Sequence, residues 1–129
     1  MEFTSFGFDE RLMEGIDAAG YTEATPVQEQ VIPPILSGKD IIASAQTGTG
    51  KTAAFLLPLI HKIITDPKRK DSITSLVIVP TRELAIQIAQ HLEGFSYFAG
   101  VSSIAVYGGG DGNAFVQEKK ALKIGRAHV

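Results

Sequence analysis

Ala43-Ser44-Ala45-Gln46-Thr47-Gly48-Thr49-Gly50-Lys51-Thr52 stands between an apolar stretch, residues 40–45, and a long run with an apolar stripe, residues 51–64. Its reading decides the fold. A strand, a glycine-punctuated loop and a helix opening on Gly-Lys-Thr form the context of a phosphate-binding loop. Consecutive backbone N–H groups wrap an anion there, and the helix start adds unpaired donors and the positive end of a dipole. Lys51 supplies a mobile positive charge and Thr52 a hydroxyl for Mg²⁺. The strict pattern G-x-x-x-x-G-K-[ST] wants glycine where this chain has Ala45. A merely structural strand-to-helix turn is the competing explanation. The preceding apolar strand and the two further glycines favour nucleotide binding over it.

The rest of the chain repeats the strand–helix rhythm. Residues 76–79 form a β-branched apolar run of the kind buried on both sheet faces. Thr81 caps a helix predicted to reach about Phe98, with Leu84, Ile88, Leu92 and Phe95 on one stripe. A third strand is predicted at 101–107, a tight glycine loop at 108–112 and a last helix at 114–122. Upstream, residues 9–19 read as a helix capped by Asp9 and closed by Gly20. Thr25-Pro26-Val27-Gln28 starts another, with Pro26 at its first position and a capping box between Thr25 and Gln28. Pro33-Pro34 is expected to stop or re-aim that helix, and Pro58 to bend the one after the loop. The order implies an α/β fold, a parallel sheet with right-handed crossovers and flanking helices.

Composition narrows the chemistry. The chain has 129 residues, 44% hydrophobic, enough for one core, and no cysteine, which removes disulfides, zinc fingers, iron–sulfur sites and thiol catalysis. His61, His91 and His128 have no ligand-like spacing. The longest apolar run, 53–60, contains Pro58 and falls far short of the roughly 20 residues that a membrane span needs. The acidic start, Met-Glu-Phe-Thr-Ser, is no signal peptide, so a cytoplasmic location is expected. Net charge is −2, but residues 1–30 hold seven acids and one base, which leaves +4 for the rest. A polyanion would avoid the first segment and approach the second. Lys68-Arg69-Lys70 reads as a solvated loop.

Four strings in order carry a resemblance. Gly20-Tyr21-Thr22-Glu23-Ala24-Thr25-Pro26-Val27-Gln28 resembles the Q motif of DEAD-box ATP-dependent RNA helicases, and Phe3 stands 17 positions before Gly20, where that family keeps an isolated aromatic. Residues 45–52 resemble its motif I, in which alanine is normal at the position of Ala45. Pro80-Thr81-Arg82-Glu83-Leu84 resembles motif Ia and Gly108-Gly109 the GG motif. The resemblance implies the N-terminal part of a RecA-like domain of bacterial type, incomplete, with ATP and Mg²⁺ as cofactors and RNA as partner, held by its backbone without sequence preference. It implies that Gln28 reads adenine N6 and N7 through its amide, with Phe3 and Tyr21 packed on the base and Thr25 beside them. Ala45, Gln46, Thr47, Gly48, Thr49, Gly50, Lys51 and Thr52 would hold the phosphates, and Thr52 Mg²⁺ through the nucleotide. Pro80, Thr81, Arg82, Glu83, Gly108 and Gly109 would lie along RNA. Taken alone, Gln28 is a capping residue, Phe3 and Tyr21 are core aromatics, Thr81 and Arg82 a cap and a solvated arginine, and Gly108-Gly109 a turn.

No Asp-Glu-Ala-Asp, Thr-Pro-Gly-Arg or Ser-Ala-Thr string occurs, and the resemblance places the arginine finger in a second RecA-like domain. Residues 1–38 are therefore read as the Q-motif region, 39–122 as the ATP-binding part of the first helicase domain, and 123–129 as an artefactual tail. The tail, Lys-Ile-Gly-Arg-Ala-His-Val, back-translates to AAG ATC GGA AGA GCA CAC GTC, which resembles the opening of a sequencing adapter. Such a fragment is expected to bind nucleotide, to be inactive alone and to be prone to aggregation. The rival readings are a non-catalytic nucleotide-binding module and a small P-loop kinase.

Overall fold

A computed structural model describes residues 1–46, 48, 50–66 and 73–107. A 3-10 turn, Phe3–Phe6, precedes four α-helices: α1 (Glu10–Ala18), α2 (Pro26–Leu36), α3 (Lys51–Thr65) and α4 (Arg82–Phe95). The chemistry of each end matches its sequence. The Asp9 carboxylate accepts from the Arg11 N–H and starts α1. At the other end, Gly20 takes φ +80°, which suits glycine. Its N–H donates to Asp17 and the N–H of Tyr21 donates to Ile16, at 3.0 and 3.2 Å. These two bonds form a Schellman motif, so the end of α1 fixes where Tyr21 leaves the helix.

α2 opens on the expected capping box, with Thr25 Oγ1 accepting from the Gln28 N–H and Gln28 Oε1 accepting from the Thr25 N–H. The expectation that Pro33-Pro34 stops the helix is corrected, since α2 runs through both to Leu36. The prolines fall in its last turn, where only the carbonyls of Glu29 and Gln30 lose their helical donors. Beyond them the N–H groups of Ser37 and Lys39 still reach Pro33 and Pro34. α3 likewise carries Pro58 inside it, fully buried.

α3 is the centre of the fold. It packs against α2, α4 and α1, and Leu56, Leu57 and Ile60 are wholly buried. Around them gather Leu12 and Ile16 of α1, Ile32 of α2, Ile88, Leu92 and Phe95 of α4, and Phe3 and Phe8 from the N-terminal segment. Burying each such side chain contributes roughly 1.5–3 kcal/mol. None of the helices described is long and apolar enough to cross a membrane.

The predicted strands come out differently. Among the described residues, 40–45, 76–79 and 101–107 carry no ladder pairing, and the one β-bridge joins Glu2 to Glu23. Burial on both faces, expected for 76–79, is corrected too. Val77 and Val79 pack on the core, whereas Leu76 and Ile78 are 71% and 84% exposed. Ile42 is wholly exposed. At 76–79 the described helices cover one face only, and parallel strands take their stability from cover on both. The glycine loop at 108–112, the helix at 114–122 and the stretch 123–129 lie outside the described residues.

Candidate nucleotide-binding site

Gly50 is the hinge of the site. It caps α3 with φ +84°, and no side chain caps that helix. The first helical bond runs from the Ala54 N–H to the Gly50 carbonyl, at 3.0 Å. The N–H groups of Lys51, Thr52 and Ala53 therefore have no partner within the helix and face outward from its positive end. Lys51 is exposed and forms no ion pair among the described residues. Thr52 is half-buried beside it. An uncapped fifteen-residue helix with a free ammonium at its start suits a polyanion.

Gln28 ties this loop to the segment before α2. Its Nε2 donates to the Gly50 carbonyl at 3.2 Å, and its Oε1 accepts from the Thr25 N–H at 2.8 Å. The residue is only 2% exposed. An amide nitrogen has two hydrogens and an amide oxygen two lone pairs, so each atom keeps one more for a ligand. Capping and base reading are compatible on that count. The contact also explains the glycine at 50. A Cβ there would stand 2.3 Å from Gln28 Nε2 and 3.3 Å from Thr25 Oγ1, on a left-handed backbone that disfavours it. Gly50→Ala is expected to weaken nucleotide binding at least tenfold while leaving α3 helical by circular dichroism; unchanged affinity would refute the linkage.

Between these elements lies a cleft of about 420 Å³, lined by Gly20, Tyr21, Thr22, Glu23, Thr25, Gln28, Gly48 and Gly50. Residues of the Q-motif segment form one wall and the glycine loop the other. A larger cavity of about 1130 Å³ continues past Lys51 and Thr52 to Pro80 and Leu84. Tyr21, half-buried, lines both; its ring is tilted against Phe3 and meets Phe95 edge-on, with centroids 5.7 and 5.5 Å apart.

Phe3 is a correction. It is 1% exposed, inside the core beneath Tyr21, with its N–H bonded to the Thr22 carbonyl. It supports Tyr21 and offers no ring face to a base. Ala45 is half-buried and Gln46 exposed at the approach to the loop. Pro80, Thr81, Arg82 and Glu83 are exposed at the start of α4, where Thr81 Oγ1 accepts from the Leu84 N–H at 3.1 Å. Arg82 stands 4.0 Å from the neighbouring Glu83 carboxylate. Thr47, Thr49, Gly108 and Gly109 lie outside the described residues. The sequence gives no sign of the bond from Gln28 to Gly50, because it joins residues 22 positions apart through a loop.

A family model described as DEAD/DEAH box helicase matches residues 25–129. The chain is 51% identical over 110 residues to the ATP-dependent RNA helicase CshA of Listeria monocytogenes, covering 85% of this chain and 21% of that protein. It is 47% identical over 129 residues to the DEAD-box ATP-dependent RNA helicase CshA of Streptococcus pneumoniae, covering 100% and 23%. The chain thus spans about a fifth of the length of these curated relatives. Its fold matches the crystal structure of a DEAD box protein from Methanococcus jannaschii with TM-score 0.85 at 32% identity, over all of this chain and 34% of that one. A hypothetical ATP-dependent RNA helicase from Sulfolobus tokodaii matches with TM-score 0.78 at 30% identity, over 94% and 33%. The α/β, RecA-like fold class therefore stands, in an incomplete domain.

Proposed function

The chain belongs to the DEAD/DEAH box helicase family, and from that membership we propose that it is the ATP-binding part of an ATP-dependent RNA helicase. The observation that carries the reading is the bond from Gln28 to Gly50, which joins a base-sized cleft to an uncapped helix start. ATP fits that pairing. The N–H groups of Lys51, Thr52 and Ala53, which have no partner within the helix, and the Lys51 ammonium match the phosphates. The second hydrogen on Gln28 Nε2 and the free lone pair on Oε1 match adenine N7 and N6. Thr52 is the residue suited to Mg²⁺, which would be shared with the nucleotide's phosphates and would neutralise charge there.

The cleavage machinery is not in these residues. The chain has no Asp-Glu-Ala-Asp string, and among the described residues no group of three carboxylates or imidazoles could hold a metal alone. Phosphoryl transfer depends on positioning and charge stabilisation. The reading is therefore of a chain that binds ATP and turns it over poorly. In the whole protein a second RecA-like domain completes the site, and RNA phosphates run past Pro80, Thr81, Arg82 and Glu83, whose helix start offers N–H donors and a guanidinium. Residues 1–38 and 39–122 would serve as Q-motif region and ATP-binding region.

A fluorescent ATP analogue and its guanine counterpart test the assignment on the 129-residue chain. ATP is expected to bind at least tenfold tighter than GTP, and Gln28→Ala to abolish that preference. Equal affinities in the unsubstituted chain would favour a P-loop kinase reading. Brisk RNA-stimulated hydrolysis by this chain would overturn the claim of poor turnover.

A further inference from the structure

The N–H of Asp9, at the start of α1, donates to His61 Nδ1 of α3 at 3.0 Å. The bond spans 52 positions and fastens the N-terminal segment to the central helix. From His61 a line of rings runs back along that segment. His61 meets Phe8 with centroids 5.8 Å apart, Phe8 meets Phe6 at 5.6 Å, Phe6 meets Phe3 at 5.8 Å, and Phe3 meets Tyr21 at 5.7 Å. Phe3 and Phe8 are buried, and Tyr21 lines the cleft. Two backbone bonds, from the Phe3 N–H to the Thr22 carbonyl and from the Ala24 N–H to the Met1 carbonyl, hold the far end of the segment against the Q motif.

We propose that His61 is a positioning residue for the nucleotide cleft, and that its protonation releases the N-terminal segment and loosens Tyr21. The inference rests on the nucleotide-binding reading above for its consequence, though not for the release itself. Nδ1 accepts from Asp9 only while it keeps its lone pair, so the ring is neutral in this arrangement. Protonating Nδ1 sets two N–H groups against each other. The ring must turn or the segment must lift, and either change disturbs Phe8. Histidine is the side chain suited to such a change, because gaining a proton removes the acceptor that the Asp9 N–H uses.

The charged neighbours do not replace the lost bond. The Asp9 carboxylate faces the ring and attracts its charged form. It is already engaged by Arg11, through the backbone N–H, Nε and Nη2 at 2.9, 3.0 and 3.2 Å. The Arg11 guanidinium holds that carboxyl below the usual carboxylate range, so its charge is constant where histidine titrates. Glu10, Glu14 and Asp17 of α1 are exposed, as are Lys62, next to His61 in the chain, and Asp66 at the end of α3. On α2, Glu29 binds the N-terminal ammonium at 2.7 Å. On α4, Arg82 and Glu83 face each other, Glu93 is exposed, and His91 stacks on Phe95 at the opposite end of the ring line.

The test combines two readouts on the 129-residue chain. In amide-resolved NMR between pH 5 and 8, the Asp9 N–H and the Tyr21 ring signals should move with the midpoint of the His61 ring. ATP affinity should fall roughly 2- to 10-fold from pH 7.5 to 5.5, the equivalent of one neutral hydrogen bond. His61→Asn keeps an acceptor where Nδ1 stands and cannot titrate, so in that variant both responses should vanish. His91→Asn should leave both in place. Phe8→Leu breaks the ring line but keeps the bond, so Asp9 should still respond while Tyr21 does not. An Asp9 amide that ignores the His61 titration overturns the proposal, as does an unchanged pH dependence in His61→Asn. Failure of ATP to bind at either pH would sink the nucleotide reading, while the Asp9 and Tyr21 signals still decide whether the release occurs.

Discussion

Gly15→Ala is expected to lower the melting temperature of the chain by about 10 °C, the largest stability effect foreseen for a single methyl group. Gly15 is buried in α1 where that helix crosses α4. A Cβ there would stand 2.1 Å from the Phe95 carbonyl oxygen and 2.9 Å from its carbon. The obstacle is backbone, so no side-chain rotation relieves it, and α1 must move off α4. Overpacking of this kind costs typically 1–3 kcal/mol. At about 3 kcal/mol, and a few degrees per kcal/mol for a domain of this size, the shift is of order 10 °C. Moving α1 also moves Tyr21, which the end of α1 holds, so base affinity should fall with stability. Gly94→Ala is the control. It sits in α4 with nothing within 4 Å of the added carbon, and better helix propensity should make it neutral or stabilising by up to about 1 kcal/mol. Thermal melts of both variants decide the matter. A Gly15→Ala melt equal to that of the unsubstituted chain would contradict the packing described for α1 and α4.

Lys51→Ala should weaken Mg²⁺–ATP binding by one to two orders of magnitude and leave the fold alone. A hydrogen bond to a charged group is worth about 1.5–3 kcal/mol, which corresponds to roughly 10- to 150-fold in affinity. The favourable end of a helix dipole is worth about 0.3–1 kcal/mol. The ammonium therefore outweighs any single change at the start of α3. Its cost to folding is small because Lys51 is exposed and has no ion pair among the described residues, and such surface changes usually stay within about 0.5 kcal/mol. Adenosine, which has no phosphate, should bind the variant and the unsubstituted chain alike. Equal loss of adenosine and ATP would show that the substitution had damaged the cleft as a whole.

Helix ends were the most legible part of the sequence because their chemistry is local. Asp9, Gly20, Thr25 with Gln28, and Thr81 all act within four residues of themselves, and each does so here. What depends on distant partners was not. Gly15 meets α4 and His61 meets Asp9 only in the folded chain, so neither contact can be read from sequence neighbours. Phe3 shows the opposite failure. The resemblance put it on the base, but an aromatic near buried Leu12 and Ile16 gains more from the core than from a cleft edge. Pro33 and Pro34 misled because a proline's cost depends on whether a helix continues beyond it, and α2 ends within a turn. Apolar runs such as 76–79 announce strands but say nothing of what will cover their second face.

Calorimetric titration of the 129-residue chain with ATP in excess Mg²⁺, alongside Lys51→Ala, tests the central claim most directly. The structure predicts one saturable site in the unsubstituted chain and an affinity at least tenfold weaker in the variant. Absence of binding heat from chain shown by circular dichroism to be folded, or equal affinities for the two, would contradict a triphosphate held between Gly48 and Thr52.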